Sequence, residues 1–65
     1  MKVKYFIDTD TLFIQLNDRE AAETTELNEN VLVDLDRDGK VVSLTIEHAM
    51  QCSGKLDFSY EASAA

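Results

Sequence analysis

A chain of 65 residues and 7.3 kDa makes one small domain. A chain this short buries only about 60% of the surface its unfolded form exposes, which argues against a deep substrate cavity and leaves a stability of roughly 3–5 kcal/mol. Six Lys and Arg against thirteen Asp and Glu give a net charge of −7, and the scattered basic residues argue against direct nucleic-acid binding and for encounter with a basic surface.

The dominant hydrophobic period is two. Val3, Tyr5 and Ile7 alternate with Lys2 and Lys4, and Leu12, Ile14 and Leu16 alternate with Phe13 and Gln15, so residues 2–16 predict a hairpin turning at Asp8-Thr9-Asp10. Phe6 and Phe13 fall on the face opposite the main apolar row. Residues 22–27 predict a short edge strand with Thr24-Thr25 at its centre, and Asn28-Glu29-Asn30 a turn. Val31 to Asp36 and Lys40 to Ile46 predict a second hairpin around Asp38-Gly39, because glycine accepts positive φ without steric cost. Glu47 to Cys52 has helical propensity for one or two turns, ended by Ser53-Gly54. Leu56, Phe58 and Tyr60 alternate as a last strand would.

The fold expected is therefore mainly β, with α+β as the alternative. It is a small antiparallel sheet of four to five strands built from two hairpins, with a short C-terminal helix. Residues 1–60 form the single domain and 61–65 a frayed tail. An uncovered apolar face of such a sheet is an aggregation liability, so a homodimer or larger homo-oligomer is expected. One cysteine cannot form an intramolecular disulfide, no apolar run approaches the ~20 residues of a membrane helix, and the N-terminus lacks the apolar stretch of a signal peptide. The expected compartment is the cytoplasm, with no membrane partner.

Tyr5, Asp10-Thr11-Leu12-Phe13-Ile14-x-Leu16, Val31-x-Val33-Asp34-Leu35-Asp36-x-Asp38-Gly39-x-Val41, Leu44-x-Ile46 and Ala49 together resemble a prokaryotic family of small proteins, domain of unknown function 2283. The resemblance covers roughly residues 1–50. Ser43 stands where the family often has Gly, and Thr45 where it often has Glu. The resemblance implies a compact β-rich fold and no established activity. Some members look like partners of toxin-like genes, which brings an antitoxin-type role into view.

Three constellations carry candidate chemistry. Asp34-x-Asp36-x-Asp38-Gly39 resembles the start of a calcium loop, but Thr45 stands where a bidentate Glu closes such a cage, and the flanks alternate as strands. A weak divalent-cation site is the most it offers. Asp8 and Asp10, with Asp18, join this row if the hairpins lie adjacent; as a catalytic pair they lack a cleft. His48 and Cys52 stand four apart, the spacing of half a metal site on a helix; the plainer reading makes Cys52 a buried hydrophobe and His48 a surface residue.

No catalytic set and no cofactor site is legible, so no enzyme is expected. The function expected is a non-catalytic acidic module that binds a basic surface of a partner protein through Asp34, Asp36, Asp38, Asp8 and Asp10. It would act as an inhibitor or antitoxin, imitating the charge of a nucleic-acid backbone. A self-assembling homo-oligomer whose acidity serves only solubility is the alternative.

Overall fold

The computed structural model describes residues 1–63. Five strands, β1 (Lys2–Phe6), β2 (Thr11–Gln15), β3 (Glu23–Asn28), β4 (Val31–Leu35) and β5 (Val41–Glu47), precede one short helix, α1 (Ala49–Ser53). They form a single open antiparallel sheet in the order β1-β2-β5-β4-β3. Both hairpins stand where the sequence places them, and the expected edge strand at 22–27 is β3 at the sheet margin. β3, β4 and β5 form a meander, so the Asn28–Asn30 turn closes a third hairpin.

Register follows the apolar pattern. Tyr5 pairs with Leu12, Leu12 with Ile46 and Ile46 with Val31; Val3 pairs with Ile14, Ile14 with Leu44 and Leu44 with Val33. Alternation places these two rows on one face of the sheet. The core is thin: Leu12, Val33, Val42 and Ala49 are its buried apolar residues, and among the described residues no side chain is fully sealed from water. The opposite face carries Phe13 beside Lys4 and Thr45, and Asp34 beside Thr24 and Ser43. Phe6 and Phe13 do lie on this second face. Between Asp34 and Leu35 the register shifts, leaving Val42 without a partner on β4, a bulge that bends the strand where the sheet meets its connecting loop.

The sheet order requires residues 16–22 to pass from β2 across the ends of β5 and β4 before β3 begins. Three hydrogen bonds pin this crossing. Leu16 N–H donates to the Val42 carbonyl at 2.8 Å, Asn17 Nδ2 to the Val41 carbonyl at 3.2 Å, and Ala22 N–H to the Leu35 carbonyl at 2.8 Å.

Helix α1 spans one turn and ends at Gly54, whose φ of 76° is left-handed and whose N–H bonds the Met50 carbonyl. This matches the expected Ser53-Gly54 stop. The expected last strand at 55–60 is absent; residues 55–63 carry no regular secondary structure. Both sheet edges are held by β1 and β3. Leu56 and Phe58 instead border a depression with Leu12, Ile46 and Ala49, and Phe58 and Tyr60 border another with Val3 and Ile14. The segment thus lies over the apolar face as a partial cover, and its alternation reflects one side turned to that face. Of the expected frayed tail, residues 64 and 65 lie outside the described residues. Among the described residues no helix is long and apolar enough to cross a membrane.

With so thin a core, single apolar contacts decide stability. Leu12→Ala is expected to cost about 2–4 kcal/mol, most of the margin of a domain this size. Phe13→Ala, on the open face, should cost clearly less. Urea titration of the two variants followed by circular dichroism checks the ordering.

Candidate functional site

The carboxylates singled out by the sequence divide between two ends of the sheet and one face. β5 runs antiparallel to both β2 and β4, so the β1–β2 turn and the β4–β5 turn point in opposite directions. Asp8 and Asp10 occupy one end, and Asp36 and Asp38 the other, about 20 Å away at the usual rise per strand residue. The five do not meet in one cluster.

Asp10 is the hub of its end. Its backbone is left-handed at φ 55°, a conformation Asp tolerates better than most residues. Its Oδ1 accepts from the Tyr5 hydroxyl at 2.6 Å and from Met50 N–H at 2.8 Å, its Oδ2 from Gln51 N–H at 3.1 Å, and its carbonyl from Ala49 N–H at 2.9 Å. The first turn of α1 is thus capped by a residue about forty positions earlier in the chain. The residue at the cap position itself, His48, makes no side-chain cap and sets its Nδ1 3.2 Å from Asn30 Oδ1. The Tyr5 hydroxyl, then the Met50 amide, hold the Asp10 carboxyl below the usual carboxylate range. The same hydrogen bond, from the other side, raises the Tyr5 hydroxyl above its ordinary value.

Asp36 builds the opposite end. Its Oδ1 accepts from Asp38 N–H and Lys40 N–H, each at 2.9 Å. Its Oδ2 lies 3.3 Å from Arg19 Nη1, and Arg19 is itself held by Asn17 Oδ1. One buried carboxylate therefore shapes the Asp38-Gly39 turn and ties the crossing segment to it. The Lys40 amide, seconded by the Asp38 amide and Arg19, lowers its pKa. Asp34 lies on the second face, where Ser43 Oγ donates to Oδ2 and Thr24 Oγ1 to Oδ1, each at 2.6 Å; Ser43 and then Thr24 lower its pKa. Asp8 and Asp38 are exposed.

Asp34 and Asp36 therefore accept from protein donors on both oxygens, and among the described residues no three His, Cys, Asp or Glu side chains converge as a metal cluster. His48 and Cys52 are not a pair on one helix face: His48 precedes α1 at φ 56°, with its ring on Asn30, and Cys52 is exposed rather than buried.

Another group of acids was not singled out by the sequence. Glu20, Glu23, Glu26 and Glu29 lie along β3 and its flanks, all exposed. Among the described residues the ion pairs are Arg19–Asp36 and Lys55–Asp57, so these four glutamates carry charge that the fold does not use. Their three-residue spacing and the expected edge strand at 22–27 were legible, but their use as one acidic margin was not drawn from them; the sheet order leaves that margin open.

The depressed pKa values of Asp10, Asp34 and Asp36 fix the acid-side behaviour. Their contribution to stability is complete above the unfolded carboxylate value of about 3.9 and is lost as pH falls through the lower folded values. For Tyr5 the sign reverses: its contribution is complete below about pH 10 and is lost as pH rises through the raised folded value. Tyr5→Phe should flatten the alkaline limb of a melting-temperature profile. Asp10→Asn keeps a left-handed-tolerant backbone with one acceptor oxygen in place of two; it should flatten part of the acid limb and speed amide exchange at Met50 and Gln51 while leaving β4–β5 amides protected.

A family model described as Protein of unknown function (DUF2283) matches residues 2–49, from the start of β1 to the first residue of α1. No curated protein and no solved structure matches the chain. The match takes in the whole five-stranded sheet and stops at Ala49, before the rest of α1 and its following segment: this chain belongs to the DUF2283 family.

Proposed function

We propose that the protein is a non-catalytic acidic interaction module that takes a basic extended segment of a partner protein along the open edge of β3. The observation that carries this reading is the division of the acids. Asp10, Asp34 and Asp36 are engaged within the fold, whereas Glu20, Glu23, Glu26 and Glu29 are exposed beside a strand edge that lacks a neighbour. An edge strand offers unpaired N–H and C=O groups to an added strand, and flanking charges select the strand that is added. Of the residues first expected to bind, Asp38 and Asp8 are the two whose carboxylates are free to meet a partner.

Spacing favours a polypeptide over imitation of nucleic acid. Successive glutamates stand three residues, about 10 Å, apart along an extended chain, whereas each phosphate strand carries a charge about every 3.4 Å. A partner strand with a basic face meets that sparser charge at Glu26, since three-residue spacing turns Glu23 to the other face of β3. Capping a basic segment of a partner in this way is inhibitor-like or antitoxin-like action without chemistry.

A fluorescent peptide alternating lysine and valine serves as the probe. Wild type should bind it at low salt and release it at high salt. Glu23→Gln/Glu26→Gln should weaken binding roughly two- to fivefold: the lysines of an alternating strand share one face and the two glutamates lie on opposite faces, so one cross-strand charge pair at up to about 1 kcal/mol is lost. Asp8→Asn, remote from β3, should not. Anisotropy titrations in which the double variant binds as well as wild type overturn the reading.

A further inference from the structure

We infer that the protein assembles with copies of itself edge to edge, β1 of one copy adding to β3 of the next. This rests on the reading that the β3 edge takes a basic strand, and it names that strand.

β1 and β3 are the two margins of the sheet. Four antiparallel pairings separate them, so they run in the same direction. Their lengths match at five and six residues, and most of both strands is exposed. Their charges are opposite: β1 carries Lys2 and Lys4 on its second face, and β3 carries Glu26 on that same face with Glu23 on the other. Pairing β1 with β1 would set lysines against lysines, and pairing β3 with β3 would set glutamates against glutamates; like charges across strands repel. Pairing β1 with β3 is the attractive combination.

The geometry allows it without turning a copy over. A second molecule displaced sideways lays β1 parallel to β3 with its faces in common. Lys2 and Lys4 then share a face with Thr24 and Glu26, while Val3 and Tyr5 extend the apolar face past Thr25. Such a contact is head-to-tail, so it repeats into an open chain, or into a ring if the accumulated sheet twist closes it.

The net charge of −7 opposes this at long range, and the two effects separate by distance. Facing side chains on adjacent strands stand about 5 Å apart, whereas the molecule extends 34 × 31 × 18 Å. The screening length is about 30 Å at 0.01 M salt, about 8 Å at 0.15 M and about 3 Å at 1 M. At the lowest salt whole-molecule repulsion acts in full; at intermediate salt it is screened while the edge pairs survive; at high salt both are gone. Association should therefore peak at intermediate salt.

Sedimentation velocity across protein concentration at these three salt levels tests this. Wild type should associate most at 0.15 M, the intermediate salt. Lys2→Glu/Lys4→Glu and Glu23→Lys/Glu26→Lys, each with unchanged circular dichroism, should each be monomeric alone, and an equimolar mixture should associate again, because every β1–β3 junction between unlike variants is once more complementary. Wild type monomeric at all three salts, a charge-reversed variant that associates as wild type does, or a mixture that stays monomeric overturns the inference. If assembly fails while the lysine–valine probe still binds β3, this inference falls and the acidic-edge reading stands. If the probe fails as well, both fall.

Discussion

The carboxylate of Asp10 is the contact on which the arrangement of the C-terminal quarter depends. A helix of one turn has no cooperative stability of its own, and its first amides need acceptors. Asp10 supplies them from the β1–β2 turn, with its carbonyl and both side-chain oxygens directed at Ala49, Met50 and Gln51. The Tyr5 hydroxyl braces the same carboxylate from inside the hairpin. Asp10 thereby continues the β2–β5 pairing beyond Thr11 and Glu47 onto the helix, and Ala49 is drawn into the core as one of its few buried residues. The chain after α1 is thereby started across the apolar face.

At the other end Asp36 does comparable work with different partners. It closes the tight turn between β4 and β5 through backbone amides and reaches Arg19 on the crossing segment. Asp34 ties three strands together on the second face through Thr24 and Ser43. These acids are part of the fold's own hydrogen bonding, which a count of charges cannot reveal. What remains for the outside is the acidity of β3 and its flanks, a smaller and more localised field than a net charge of −7 implies.

The strands were legible because alternation and turn chemistry agree in each: Asp-Gly between two clean β-runs, and Thr24-Thr25 between polar turns. The sheet order was not, because it depends on a crossing segment whose anchors, Asn17 and Arg19, look like ordinary loop residues until the Asp36 carboxylate is placed beside them. The alternation of Leu56, Phe58 and Tyr60 misled for a related reason. Period two records that one side of an extended segment meets an apolar surface, and a segment lying across a sheet satisfies that as well as a strand within one. The row Asp34, Asp36, Asp38 looked like one site for the opposite reason. Alternate residues share a face only while the strand continues, and Asp36 already belongs to the turn. Tyr5, Asp10, Asp34 and Asp36 all belong to the resemblance to the family, and each holds a hydrogen bond that shapes the sheet.

The grip of Asp10 on α1 is made to main-chain amides and to no side chain of the helix. Such an anchor is blind to which residues follow it. Beyond Ala49, which packs in the core, the helix can drift in sequence, or be exchanged for another segment that opens with a helical turn, and still plug into the same three acceptors. The sheet thus acts as a standing socket and the C-terminal segment as an interchangeable fitting, so the part of the molecule that shields the apolar face is also the part freest to be rewritten.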